Sequence, residues 1–301
     1  MALLDRAVVR ALPAVPRQLV RRLAAHYIAG PELDDAVRVV RNLNEQGKLA
    51  TIDVLGEVVA SRAEADAITK TYRDVLARVE AEQLEANISV KLTALGLELD
   101  EGLCKRNLEA VVEDARTRAN FVRIDMEDSS TTDAALRLHR ELRSAGHENV
   151  GVVLQSRLRR TLGDVPGLEN VRLCKGIYLE SEAVAFDDPV EVQTSFLYCL
   201  EALLDRRAYV AVATHDEELI RRALGLVRKH GLARDAYEFQ MLYGVRAARG
   251  DELVRDGHRL RLYVPFGTHW YEYSLRRLQE NPKIAGYVAA DTLRRLRRRQ
   301  L

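Results

Sequence analysis

The apolar positions of the chain fall into short runs that alternate with longer segments of helical periodicity. An amphipathic segment broken by Pro13 and Pro16 comes first, and residues 32–46 follow as a helix with an acidic first turn, which suits the helix dipole. From residue 51 onward, eight β-branched and aliphatic runs recur, each followed by a helical segment. The predicted strands are 51–59, 87–96, 121–128, 150–156, 171–178, 209–216, 236–242 and 259–265.

This alternation predicts the α/β class and a closed (β/α)8 TIM-like barrel. A doubly wound sheet would carry a glycine-rich phosphate loop after its first strand, whereas here that strand ends in LGEVVASR with a single glycine. We expect residues 1–48 to form an N-terminal helical arm, 49–283 the catalytic barrel and 284–301 a basic C-terminal helix. The helix after the eighth strand is expected to lie over the barrel mouth.

Charge and composition exclude several classes of function. The net charge of +1 over 301 residues gives no basic field for nucleic acid. No apolar run approaches the ~18–20 residues of a membrane helix, and arginines interrupt the apolar runs of the N-terminus, so we expect a cytoplasmic chain. The seven histidines show no HxH or HExxH spacing and the three cysteines are scattered, so no metal site is predicted.

Polar residues stand where the predicted strands end, which is where barrel enzymes place their active sites. Lys91 and Asp125 are the most informative, because each interrupts an apolar strand, in SVKLT and RIDME. A charge within a strand must be paired or reach a polar cavity. The two residues could pair with each other across neighbouring strands, or the ammonium could face a substrate carboxylate.

Two adjacent arginines, Arg276 and Arg277, follow the eighth strand on a predicted helix, with Tyr263 and Tyr273 nearby. Adjacent arginines on a helix usually form a solvated face, because their side chains lie about 100° apart. They can still converge on one small anion if the helix lies above it, and the planar guanidinium fork matches a carboxylate. This position predicts an anion clamp for a small carboxylate substrate.

Seven sequence blocks follow one another along the chain: SVKLTALG, RIDMED, VVLQSRLRR, VRLCKGIYLE, VATHDEE, EFQMLYGVR and YVPFGTHWYEYSLRRLQENP. Together they resemble the proline dehydrogenase (proline oxidase) family, a family of flavin-dependent barrels. The similarity spans residues 50–282, and the length is similar to the short monofunctional bacterial members rather than to those fused to an aldehyde dehydrogenase.

The resemblance implies oxidation of L-proline to Δ1-pyrroline-5-carboxylate, the first step of proline catabolism. It also implies FAD as the cofactor, hydride transfer to flavin N5, and a membrane quinone as the electron acceptor. By resemblance, the carboxylate-binding trio is Lys91, Arg276 and Arg277, the aromatic enclosure of the ring is Tyr263 and Tyr273, the apolar wall is Leu242, and the residue that positions Tyr263 and Lys91 is Asp125. The matching flavin contacts are Gln155, Arg172 (placed near N5), Lys175, Gly176, Tyr178, Thr214, His215 and Glu280.

The sequence also departs from the longer members of this family. Tyr243 stands where the bifunctional relatives tend to have histidine, and the segment between Tyr263 and Arg276 is shorter than theirs. The resemblance therefore does not assign flavin contacts to residues 267–270.

Both ends of the chain are basic. Residues 1–30 and 291–301 each carry five arginines against one aspartate. Basic amphipathic ends can rest on anionic lipid, so a peripheral position on the inner face of the cell membrane is one interpretation, and solvated helical faces are the other.

Two other functions remain open for the barrel. A lysine at a strand end, Lys91 or Lys175, fits a Schiff-base aldolase. A barrel that only binds a small carboxylate as a sensor would have no cofactor and no turnover.

Overall fold

Eight parallel strands close into a barrel in chain order, which confirms the predicted (β/α)8 fold. The computed structural model describes residues 27–56, 59–271 and 273–274. Closure comes from the pairing of the first and last strands, in which Ala50 lies beside Leu262. The barrel therefore brings the carboxyl ends of all eight strands to one mouth.

Within the described residues, strands and helices alternate regularly after one preceding helix. The strands are β1 (Leu49–Val54), β2 (Ala86–Val90), β3 (Val122–Ile124), β4 (Val150–Gln155), β5 (Asn170–Cys174), β6 (Tyr209–Ala213), β7 (Tyr237–Leu242) and β8 (Leu260–Phe266). The helices are α1 (Leu33–Glu45), α2 (Arg62–Ala81), α3 (Glu101–Thr117), α4 (Thr132–Ser144), α5 (Thr161–Asp164), α6 (Pro189–Asp205), α7 (Glu217–Lys229) and α8 (Ala247–Arg255). A 3-10 turn, Ser129–Thr131, precedes α4.

Side-chain caps fix where several helices begin. Ser61 accepts a hydrogen bond from the Glu64 amide at the start of α2, and Asp100 caps α3 in the same way. Asp216 caps α7 by accepting from two backbone amides. Such caps satisfy amide groups that have no partner within the helix, and they set the loop lengths at the barrel mouth.

The main hydrophobic core lies between the barrel and its helices. In β1, Ala50, Ile52 and Val54 are buried against the outer layer, while Thr51 and Asp53 alternate with them and face inward. The same alternation recurs around the barrel. The interior consequently holds many polar and charged side chains, which form hydrogen bonds across it.

Helix α1 packs against β1 and β8, the outer position that a helix following β8 would otherwise take. The segment before it is tied to the end of β8, because the Ala29 amide donates to the Pro265 carbonyl at 2.9 Å. A new helix begins at Trp270, and Tyr273 packs in a cluster with Leu55 at the end of β1. Within the described residues, the last helix thus starts at the barrel mouth.

Several strands are shorter than predicted. The chain turns directly after β2, where the Leu95 amide donates to the Lys91 carbonyl, and β3 ends at Ile124. Lys91 and Asp125 therefore follow their strands, and the expectation that they interrupt them was wrong. The reason is that the buried residues Leu92 and Leu95 belong to a turn, although their spacing resembles a continued strand.

The predicted N-terminal arm (1–48) is described only from residue 27, and the predicted basic C-terminal helix (284–301) lies wholly outside the described residues. Residues 1–26 and 275–301 lie outside the described residues, and they include both basic ends. Across the ranges that the structure describes, no helix has the length and apolarity needed to cross a membrane.

Candidate active site

Four side chains from β1, β3, β8 and the turn after β2 meet at the barrel mouth: Asp53, Lys91, Asp125 and Tyr263, called here the mouth cluster. Lys91 Nζ lies 2.5 Å from Asp53 Oδ1 and 3.8 Å from Asp125 Oδ2. The Tyr263 hydroxyl is 3.3 Å from Lys91 Nζ and donates to Asp125 Oδ2 at 2.8 Å. Two carboxylates therefore flank one ammonium, and a tyrosine bridges the ammonium to the second carboxylate.

Asp125 accepts hydrogen bonds from several sides of the barrel. Its Oδ1 accepts from Arg172 Nη1 at 2.7 Å and from the Ser89 hydroxyl at 2.8 Å, while its Oδ2 accepts from Tyr263. Because these donors come from β2, β5 and β8, Asp125 fixes their mutual positions. The role of Asp125 as the residue that positions Tyr263 for the substrate stays a prediction.

The buried charges shift one another's ionisation. Burial would raise the pKa of Asp125, but Arg172 and Lys91 hold that pKa below its ordinary value. Burial would lower the pKa of Lys91, but Asp53 and Asp125 raise it, so the ammonium stays charged. Burial raises the pKa of Asp53 despite the opposing charge of Lys91. Lys91 retains 21% side-chain exposure, so it can also reach a ligand in the mouth.

Arg172 lies on β5 beneath this cluster and is only 6% exposed. Its Nη1 donates to Asp125 and to Ser89 Oγ, and its Nε donates to Gln240 Oε1 at 2.6 Å. Its Nη2 is buried and has no hydrogen-bond partner among the described residues. A buried charged donor without an acceptor is costly, so Nη2 is suited to donate to a group bound at this place.

The other predicted flavin contacts lie along the ends of β4, β5 and β6. The Gln155 amide donates to the Glu127 carbonyl at 2.6 Å, which anchors it at the end of β4. Gly176 has a φ of +91°, and an added Cβ would lie 2.4 Å from Gln155 Oε1, so the position requires glycine. Lys175 forms an ion pair with Asp216, the residue that caps α7.

The remaining members lie on neighbouring loops. Thr214 Oγ1 accepts from the Asp216 amide at 3.1 Å, and His215 Nε2 accepts from the Leu242 amide at 2.9 Å. This bond to His215 holds the end of β6 against the end of β7. Tyr178 is half-buried in the segment between β5 and α6.

Apolar side chains line another part of the mouth. Tyr273 is buried in a cluster with Leu55 and Val245, and Leu242 packs against that cluster. The structure thus brings two of the predicted ring-enclosing residues to one apolar surface. Arg276, Arg277 and Glu280 lie outside the described residues, so the predicted clamp remains a prediction.

Sequence reasoning missed Asp53, which is fully buried and is the carboxylate nearest to the Lys91 ammonium. Asp53 could have been found by the same pattern that selected Lys91, because it is a single charge within an apolar run. The predicted pairing of Lys91 with Asp125 is present only at 3.8 Å. Ser89, a small polar residue within β2, was also missed.

The fold and the site define a class: a (β/α)8 barrel enzyme with cationic and acidic groups gathered at its mouth. The sequence model of the proline dehydrogenase family matches residues 36–290. The chain is 38% identical over 276 residues to proline dehydrogenase 1 of Bacillus subtilis subsp. natto, covering 90% of this chain and 91% of that relative. It is 36% identical to the proline dehydrogenase of Deinococcus radiodurans, covering 92% of each.

A solved structure shows the same architecture. Proline utilization A from Bdellovibrio bacteriovorus, inactivated by N-propargylglycine, superposes with a TM-score of 0.79 at 25% identity. That comparison covers 85% of this chain and 32% of the other, so this chain spans about a third of that protein. The chain belongs to the proline dehydrogenase family, and its activity is that of an oxidoreductase in proline catabolism. The family is generally flavin-dependent.

Proposed function

We propose that the chain oxidises L-proline to Δ1-pyrroline-5-carboxylate with FAD held at the barrel mouth. Bound FAD would supply the two-electron acceptor, at N5, for the hydride that leaves the ring carbon next to the amine. The substrate then becomes a protonated cyclic imine, which releases its proton to solvent. The protein contributes binding, orientation and charge placement. The main support for this proposal is Arg172 Nη2, which is buried and has no hydrogen-bond acceptor among the described residues. It could donate to a flavin carbonyl or ring nitrogen.

The substrate carboxylate is held by Lys91 together with Arg276 and Arg277. Lys91 is charged and partly exposed at the mouth, which supports its role in this trio. A carboxylate fixed by three cations can point its ring in only one direction, and orientation of this kind lowers the barrier to transfer.

The proline ring is enclosed by Tyr263, Tyr273 and Leu242. Tyr263 is held by Asp125 through its hydroxyl, and the residue is partly exposed. Burial raises the pKa of the Tyr263 hydroxyl, and the Asp125 charge adds to this, so the phenol stays a neutral donor. A substrate amine that arrives neutral needs no proton acceptor from this cluster.

The flavin is held by residues at the ends of β4, β5 and β6. We place Arg172 near its N5 edge, where a cation stabilises the reduced, anionic ring. The further flavin contacts in this proposal are Gln155, Lys175, Gly176, Tyr178, Thr214, His215 and Glu280. Lys175 could turn from Asp216 toward a phosphate, because its side chain is 36% exposed.

The electrons are passed to a membrane quinone in this proposal. The basic ends of the chain, at residues 1–30 and 291–301, could bring the barrel to an anionic membrane surface. Flotation of the full chain with anionic vesicles, compared with neutral vesicles, tests that contact separately from the oxidation.

A Schiff-base mechanism at Lys91 is disfavoured by the charges around it. Such a lysine must lose its proton, but Asp53 and Asp125 raise the pKa of Lys91 against the opposing effect of burial.

The visible spectrum of the purified protein tests the flavin proposal. We expect it to take up FAD and to show flavin absorption that L-proline bleaches without oxygen, with D-proline as the stereochemical control. A protein that takes up no FAD, or one whose flavin L-proline leaves oxidised, would defeat the proposal. A covalent adduct on lysine after borohydride treatment with substrate would favour the aldolase.

A further inference from the structure

A second group of charged and polar side chains fills the barrel below Arg172: Tyr209, Glu238, Gln240 and Arg261, called here the floor cluster. Glu238 Oε1 accepts from Arg261 Nε at 2.8 Å and from Gln240 Nε2 at 2.5 Å. Glu238 Oε2 accepts from the Tyr209 hydroxyl at 3.0 Å. Arg261 also donates to the Ala50 carbonyl at 2.7 Å, which ties the cluster to β1.

Gln240 contacts both Arg172 and Glu238, and only one orientation of its side-chain amide satisfies both contacts. Arg172 Nε can only donate, and an ionised carboxylate can only accept. The Gln240 carbonyl oxygen must therefore face Arg172, and its NH2 group must face Glu238. Glu238 is suited to impose this, because it is 2% exposed and ion-paired with Arg261.

We propose that Glu238 and Gln240 are positioning residues that hold Arg172 toward the flavin. Glu238 fixes the amide of Gln240, and Gln240 fixes Arg172 at Nε. Asp125 and Ser89 hold Nη1 from the opposite side of the barrel. With two nitrogens anchored, Nη2 is left as the donor for the cofactor. This inference rests on the proposed function, because it assumes that FAD lies beside Arg172.

The midpoint potential of the bound flavin tests the inference without measuring turnover. In Glu238→Met, Gln240 Nε2 loses the oxygen to which it donates, so nothing on that side fixes the orientation of the Gln240 amide. The amide can then rotate and present its NH2 group to Arg172, which displaces the guanidinium. We expect the reduction equilibrium of the flavin to fall roughly tenfold, a shift of about −30 mV for a two-electron couple.

Gln240→Met provides a second variant that keeps every charge of the floor cluster. It removes the acceptor for Arg172 Nε and should lower the potential in the same direction. If Glu238→Met does not fold, Gln240→Met alone tests the inference. The matched control is Tyr209→Phe, which removes a hydrogen bond from the other oxygen of Glu238 and leaves the Gln240 contact in place.

The potentials of the three variants distinguish the outcomes. Lower potentials in Glu238→Met and Gln240→Met, with a wild-type value in Tyr209→Phe, support the inference. Wild-type potentials in both test variants would overturn it while a proline-reducible flavin leaves the proposed function intact. An equal shift in Tyr209→Phe would also overturn it, because the effect would then not depend on the Gln240 amide. If the wild-type chain takes up no FAD, the proposed function fails and this inference fails with it.

Discussion

The mouth cluster and the floor cluster use the same kinds of residue but differ in how completely those residues are satisfied. In the floor cluster, both oxygens of Glu238 accept hydrogen bonds, and the carboxylate is 2% exposed. In the mouth cluster, Asp53 Oδ2 is buried without a partner among the described residues, and Lys91 is 21% exposed. The floor cluster is thus buried, and its central carboxylate has hydrogen-bond partners on both oxygens. The mouth cluster is partly exposed and can still contact a ligand.

This difference separates groups that bind from groups that hold the barrel in shape. A closed buried ion pair contributes little net stability compared with an apolar substitute, but removing one partner is costly. An incompletely paired cluster at an opening can instead exchange a protein contact for a ligand contact. Arg172 links the two clusters, because it donates to Gln240 of the floor cluster and to Asp125 of the mouth cluster.

The largest effect on activity is expected for Asp125→Asn. This change removes the charge that holds Arg172 and weakens the acceptor for the Tyr263 hydroxyl. Loss of one partner of a buried, hydrogen-bonded charge pair costs about 2–5 kcal/mol, so kcat/KM for proline should fall on the order of 10²-fold. Steady-state kinetics measures this. Lys105→Met, which changes an exposed surface lysine, is the control with expected wild-type kinetics. Wild-type kinetics in Asp125→Asn would contradict the account.

A change in the floor cluster should affect stability more than substrate binding. Arg261→Met leaves the Glu238 charge without its cation and should lower the free energy of unfolding by about 3–5 kcal/mol. Denaturant unfolding measures this, and the KM for proline of the folded variant should stay near the wild-type value. A rise in KM comparable to that of a mouth variant would remove the distinction between the clusters.

A smaller effect concerns the pH dependence of stability. Burial would raise the pKa of Glu238, but Arg261 holds it below its ordinary value of 4.5. The resulting stabilisation is fully present above pH 4.5 and is lost as the pH falls through the folded-state pKa. Glu238→Gln should therefore lose less stability than the wild type on acidification below pH 4.5, as measured by unfolding at a series of pH values. Parallel curves for the two proteins would show that Glu238 has no such role.

The barrel could be predicted from the sequence because its strands are buried on the helix side. Val122, Ile124 and Val152 belong to apolar runs that recur regularly along the chain. The ends of the strands were harder to predict, because Leu92 and Leu95 are buried in a turn that looks like more strand. Local pattern alone does not distinguish the two.

The partners within the barrel could be predicted only in part. Lys91 and Asp125 were identified as unusual charges, but the nearest carboxylate to Lys91 is on β1. The contact between Arg172 and Gln240 joins residues 68 positions apart in sequence. Such contacts depend on the closure and register of the barrel, and no short-range pattern in the sequence reports them.

The central claim is that the mouth cluster binds a carboxylate and the floor cluster does not. Calorimetric titration with a five-membered-ring carboxylate that lacks the oxidisable amine tests this most directly, comparing the wild type, Lys91→Met and Arg261→Met. A hydrogen bond to a charged group contributes about 1.5–3 kcal/mol, so we expect Kd to rise about 10- to 100-fold in Lys91→Met and to stay unchanged in Arg261→Met. An unchanged Kd in Lys91→Met, or equal weakening in both variants, would contradict the account.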